Sequence, residues 1–212
     1  MIVTISTRYG SALSLVLEGL HDQLRYRIVN DELPTVVATR LGISKEAARH
    51  VGAAPASFSE RILRGLTHAT PEISGFTAPR TDMNAEYVHA IEHAVREVAQ
   101  EGNCIIVGRA GGRILRDHDD VLRVFLYAPL PWRTTRMMTV LQCDQKTAEA
   151  EISRVDGAHE NFAREYFKYD RNDATNYHLA LDVSRLGIGG TVALITSATQ
   201  HALAQHAAGA PE

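Results

Sequence analysis

Cysteine is scarce: Cys104 and Cys143 are the only two in 212 residues. Two thiols do not make a disulfide framework, which fits a reducing compartment, and the cytoplasm is the expected location. No apolar run approaches the roughly 20 residues that span a bilayer, so no membrane partner is expected. The first residues lack a basic segment followed by a long apolar one, so no secretory leader is read there. Neither sign of charge is in excess, with 22 Lys and Arg against 25 Asp and Glu. Bulk charge therefore gives no reason to expect nucleic acid or an anionic surface as partner. Internal repeats and low-complexity blocks are also missing. The remaining composition is ordinary for a globular protein, with length for one domain and a real core.

The most informative stretch covers residues 102–127. Cys104-Ile105-Ile106-Val107 and Val124-Phe125-Leu126-Tyr127 are short, nearly charge-free runs. Such runs suit strands covered on both faces, as in a parallel α/β sheet. Between them lies the turn Gly108-Arg109-Ala110-Gly111-Gly112-Arg113 and a short helix. Ligands of open α/β sheets sit beyond the carboxyl ends of the strands, and Arg109 falls there. It reads either as a forked cation for phosphate or carboxylate, or as a surface arginine after a strand.

A first strand is expected over residues 2–6, then Arg8-Tyr9-Gly10-Ser11, then a helix over 13–24. Strand, glycine turn and helix is the layout of a phosphate loop. The Walker pattern GxxxxGK[ST] is nevertheless missing. Aligned on the strand, Ala12 stands at the second glycine, Leu13 at the lysine and Ser14 at the Ser/Thr. The helix-terminal amides can still hold an anion, or the segment is an ordinary β–α turn.

A short strand is expected over 26–29 and a helix over 33–41. Further helices near 44–51 and 58–66 make residues 31–80 a small helical insertion. Residues 70–84 read as loop, and a helix face runs from Tyr87 to Val98 and stops at Gly102. His89-Ala90-Ile91-Glu92-His93 matches the inverted zinc-protease pattern, but no third ligand is evident and a solvated helix face is expected. Asp117-His118-Asp119-Asp120 reads as a surface turn, and no metal site is expected. A basic helix then carries Arg133 and Arg136. Asp144 caps a second helix with Arg154, Asp156, His159 and Arg164. Strand character returns over 176–182, Ser184 to Gly190 reads as a turn, and a last helix is expected over about 191–206.

These pieces together resemble the cytidylate kinase-like family of P-loop nucleoside monophosphate kinases. The resemblance spans nearly the whole chain. It rests on Ile-Ser-x-x-Tyr-Gly-Ser ending at Ser11, Leu-Gly-Ile-Ser ending at Ser44, and Ile-Val-Gly-Arg ending at Arg109. Val121 to Phe125, Ala128-Pro129-Leu130, the Arg133/Arg136 pair, Asn176-Tyr177 with Leu179, and Ser184 to Ile188 add to it. It implies an α/β fold, a three-layer parallel sheet of P-loop kinase type with a helical acceptor-binding insertion and a helical lid. The implied core is 1–30, 81–130 and 176–206, with the insertion at about 31–80 and the lid at about 131–175. The implied chemistry is transfer of the γ-phosphoryl group of ATP, with Mg²⁺, to CMP or a related small phosphorylated acceptor.

Carried across by position, the donor phosphate loop holds Arg8, Gly10, Ser11 and Ser14. Asp31 and Arg109 fall on the acceptor side. The catalytic lid arginines are Arg133, Arg136 and Arg154, accompanied by Asp156, His159 and Arg164. A homodimer is the expected assembly, if any. Several positions depart from the pattern: Leu13 replaces the lysine, His159 an arginine, Ala110 an acidic residue, and Arg171-Asn172 a tryptophan-glycine pair. A methyl at Ala12 is expected to hinder approach of a phosphate. A non-catalytic nucleotide-binding regulator on the same fold is therefore the alternative. A nucleic-acid or protein-binding module built on the basic helices of 131–171 is a third reading, disfavoured by the near-neutral chain.

Overall fold

The computed structural model describes residues 1–30, 32–42 and 82–207. Its centre is a five-stranded sheet in the order β2-β3-β1-β4-β5. The strands are β1 (Ile2–Thr7), β2 (Arg27–Val29), β3 (Cys104–Val107), β4 (Val121–Tyr127) and β5 (Leu179–Asp182). Every pairing is parallel, with Ser6 beside Phe125 and Ile5 beside Val107. Parallel neighbours need helical crossovers, and these cover both faces.

Alternation along β1 divides the core. Val3 and Ile5 join Ile105, Val124 and Leu126 beneath α1 (Leu13–Leu24) and α7 (Val183–Ala207). Ile2 and Ile106 face the other way, onto α2 (Glu32–Leu41) and α3 (Asp82–Gln100). The short α4 (Gly111–Ile114) lies on that second face and leads toward β4. After β4 the chain forms a hairpin of α5 (Leu130–Leu141) and α6 (Gln145–Phe167), with Met137, Ala148 and Ile152 between the two helices. The far end of α6 returns Phe162 and Phe167 to the second-face core. The Asp144 carboxylate caps α6 by accepting from the Thr147 amide at 2.8 Å.

Two boundaries differ from the sequence expectation. α3 begins at Asp82, inside the stretch read as loop, because Asp and Asn serve helix N-termini as readily as loops. The turn expected over 184–190 narrows to one non-helical residue, Gly187 (φ 66°, ψ 171°). Helix starts at once after β5 because Asp182 Oδ1 accepts from the Ser184 amide at 2.9 Å and its hydroxyl at 2.6 Å. Of the expected insertion, α2 is described; Asp31 and the helices expected near 44–51 and 58–66 lie outside the described residues.

α1 and α7 approach closely at Gly19, where an added Cβ would stand 2.8 Å from Val192 Cγ2. Valine is stiff at χ1 and cannot swing clear. Gly19→Ala gains about 1 kcal/mol of helix propensity but overpacks this contact by roughly 1–3 kcal/mol. A net loss of stability is expected in urea denaturation. Combined with Val192→Ala, the pair should cost about 1 kcal/mol less than the sum of the separate changes.

Candidate functional site

The loop after β1 reaches α1 through Gly10 (φ 87°) and Ala12 (φ 58°), both left-handed. α1 opens without a side-chain cap, and the Ser11 hydroxyl is buried with no partner among the described residues. The Ala12 methyl is 3% exposed and belongs to the core beneath α1. The steric obstacle expected from it is therefore turned into the protein interior. Leu13 is half-buried against the same core. Ser14 is exposed in the first turn of α1.

The second turn follows β3. Gly108, Arg109 and Ala110 are all left-handed (φ 65°, 51° and 55°), which folds the chain abruptly into α4. The two non-glycine residues hold a conformation that L side chains adopt at a cost, a pattern found at ligand-binding turns. The Gly108 amide donates to the Ile5 carbonyl at 2.9 Å, so the two turns are joined at their bases. Arg109 Nη1 makes a long contact, 3.5 Å, with the hydroxyl of Tyr87 on α3. Burial pushes the Tyr87 hydroxyl pKa up to about 12, against the nearby Arg109 cation.

The α5–α6 hairpin closes the site from above. Asp156 is its hub, 6% exposed. Its carboxylate accepts from the Tyr9 amide at 2.8 Å and from Arg133 Nη1 at 2.7 Å, and lies 3.6 Å from Arg8 Nη1. Arg8 Nη1 also donates to Glu160 at 2.6 Å. The 7%-exposed Arg133 further donates to the carbonyls of Ala128 and Tyr9, each at 2.9 Å. In this structure Arg133 braces the first turn against α5 rather than facing an open cleft.

His159, one turn beyond Asp156, reaches solvent while recessed among protein atoms. That recess pushes its pKa down to about 4; the Arg171 and Arg109 cations add to the fall, and Asp156 opposes it. It is a neutral imidazole at pH 7. Its folded value lies below the ordinary 6.5, so its contribution to stability is complete above about pH 6.5. That contribution is lost as pH falls toward about 4. His159→Gln should lose less stability than wild type between pH 6.5 and 5, read from denaturation midpoints at each pH.

The structure thus gathers Arg8, Arg109, Asp156 and His159 at the carboxyl ends of β1 and β3. Arg136 is half-buried on α5 and makes no ion pair among the described residues. Arg154 is exposed on α6 and engages both oxygens of Glu151 at 2.7 Å. Arg164 is exposed in the last turn of α6. His89 and His93 lie on the solvent side of α3, where His93 sits 3.2 Å from Glu97.

One residue, Glu160, carries no sequence motif, and a second, Arg171, is marked in sequence only as one of several basic residues of the lid stretch. Glu160 fixes Arg8, and only its spacing of four from Asp156 on one helix face could have signalled it. Arg171, 6% exposed, donates through Nη2 to the Thr7 carbonyl at 2.8 Å. In sequence it is one of a run of basic residues with Arg164 and Lys168 that can converge on an anion, and it stands where the resemblance fails. Next to it, a cleft of about 250 Å³ runs between α4 and the segment after α6, bordered by Ser6, Arg113, Arg123, Tyr169 and Tyr177.

Comparison with known proteins bears on the fold and the family. The model of the cytidylate kinase-like family matches residues 2–185. The cytidylate kinase of Methanothrix thermoacetophila is 29% identical over 203 residues, covering 93% of this chain and 97% of that protein. The cytidylate kinase of Natronomonas pharaonis is 25% identical over 199 residues, covering 93% and 88%. Among solved structures, an uncharacterized protein from Eubacterium ventriosum superposes with a TM-score of 0.67 at 16% identity, covering 94% of this chain and 98% of that one. Shikimate kinase from Bacteroides thetaiotaomicron gives 0.52 at 12%, with the same coverage. The five-stranded parallel sheet is that of a P-loop kinase fold, and this chain belongs to the cytidylate kinase-like family.

Proposed function

We propose that the protein is a nucleoside monophosphate kinase that moves the γ-phosphoryl group of ATP to CMP or a related small acceptor. The observation that carries this reading is the meeting of Arg8, Arg109 and the Asp156–His159 face of α6 over an uncapped α1. Phosphoryl transfer asks mainly for positioning and positive charge around the equatorial oxygens. Gly10, the buried Ser11 hydroxyl and the first amides of α1 suit a donor phosphate chain. Arg109 suits the acceptor phosphate, together with residues of the insertion at about 31–80, Asp31 among them. Residues 131–175 act as the lid, with Arg136 and Arg154 on its two helices.

Mg²⁺ would neutralise charge on the phosphates. Ser14, exposed at the start of α1, is the hydroxyl placed to meet it. Asp156 and Glu160 already hold Arg8 and Arg133, so their part is to fix guanidinium positions. Closure of the hairpin over the two turns excludes the water that would otherwise accept the phosphoryl group.

The test is product formation from CMP, UMP, dCMP, AMP and GMP with ATP and Mg²⁺. Turnover of a pyrimidine monophosphate is expected. One observation favours a second reading, a nucleotide-binding regulator: the side chain at the lysine position is Leu13, packed on the core. ATP binding in calorimetry without product from any acceptor would select that reading.

A further inference from the structure

The phosphate loop has no cation of its own at residue 13, and the imidazole of His159 is uncharged at neutral pH. Yet a guanidinium lies against the loop from an unexpected direction. Arg171 follows α6 and sits at the carboxyl ends of β1 and β4, its guanidinium 6.0 Å from the Phe125 ring centroid. The site is built. Nη2 donates to the carbonyl of Thr7, the last residue of β1, where the loop begins. The Arg171 carbonyl accepts from the Tyr177 hydroxyl at 2.7 Å, and Tyr177 stacks on Phe125 at 4.9 Å. The Asn172 side chain donates to Glu160, the carboxylate that also holds Arg8.

Two features are costly for a group with no further role. Arg171 is almost fully buried, and among the described residues it forms no ion pair. Its Nη1 is buried with no hydrogen-bond partner among the described residues. A buried charged donor without a hydrogen bond is among the more destabilising arrangements in a fold, and a bound ion or ligand is one arrangement that satisfies it. The surroundings indicate the sign of that ligand. Arg8, Arg133 and Arg171 lie about Asp156 and Glu160, three guanidiniums to two carboxylates, and Arg109 lies close to His159. An oxyanion satisfies both the vacant donor and the charge.

We propose that Arg171 is the phosphate-binding cation of the donor loop, offering Nη1 to a phosphate oxygen in place of the missing lysine. This rests on the reading that the loop binds nucleotide phosphates, and it names the group that makes such binding work without a lysine. The lysine's charge arrives on a segment 164 residues away in sequence, held to the loop by the Thr7 carbonyl.

The test combines Arg171→Met, Arg171→Lys and Leu13→Lys, with ATP and inorganic pyrophosphate as probes in calorimetry and thermal unfolding. Arg171→Met should weaken binding of both probes by about 10- to 100-fold. Without ligand its Tm should equal or exceed that of wild type, because an unpaired buried charge has been removed. Leu13→Lys in the Arg171→Met background should restore affinity to within a few-fold of wild type. Arg171→Lys should fall between. If Arg171→Met binds the probes as wild type does, or if its ligand-free Tm drops, the residue is a structural brace and the inference fails alone. If Leu13→Lys restores nothing, it also fails. If wild type binds neither probe, the nucleotide reading itself is overturned.

Discussion

Asp156→Ala is expected to destabilise the protein by about 3–5 kcal/mol, since it strands the buried Arg133 charge. Arg133 and Asp156 side chains are each 9% exposed and 2.7 Å apart, so neither solvent nor salt offers much compensation. The same change removes the acceptor for the Tyr9 amide, which holds the first turn. For a chain of this size the loss corresponds to about 6–20 °C in Tm. The double variant Arg133→Met/Asp156→Leu should regain most of that loss, because it removes both charges instead of one. Equal Tm for wild type and Asp156→Ala would show that the pair contributes nothing. The pair also explains why Arg133 need not touch substrate to matter: it positions the turn from which Arg8 extends.

The second large effect concerns Arg109. Arg109→Ala is expected to weaken binding of the acceptor monophosphate by about 10- to 150-fold, as expected for a charge-assisted phosphate contact of roughly 1.5–3 kcal/mol. Arg109→Lys should recover only part of this, since a point charge does not reproduce the two parallel donors of a guanidinium. Residue 109 is left-handed (φ 51°), and lysine and alanine meet similar backbone strain there. The comparison therefore isolates the side chain. The measurement is calorimetric titration with CMP, with ATP affinity as the control that should change little. Loss of ATP affinity to the same extent would place Arg109 on the donor side instead.

The fold accommodates the residues that depart from the usual loop sequence. At Ala12 a left-handed backbone sends the methyl into the core, so the position costs strain but leaves the loop open. Leu13 packs on the same core and stabilises α1 where a lysine would have faced the phosphates. On the proposal above, the charge missing at residue 13 is met by Arg171, which follows α6 and donates to the Thr7 carbonyl, while Arg8 lies in the β1 turn itself.

The strands and helices were legible from the residues because their signals are local. Four apolar residues in a row at β3, the glycines around Arg109 and the Asp144 cap each act within one or two turns of chain. The family resemblance was legible for the same reason, being a series of short motifs in order. Partner choice was decided only in three dimensions. Arg133 and Arg154 look alike as lid arginines in sequence, yet one is buried against Asp156 and the other pairs with Glu151 in solvent. The sequence marks Arg171 only as one basic residue among several; nothing local tells that it is the buried one, because its burial comes from Phe125, Tyr177 and Thr7. Periodicity determines which face of an element is apolar. Which charge is desolvated, and by whom, depends on how distant elements pack, and only the folded chain decides that.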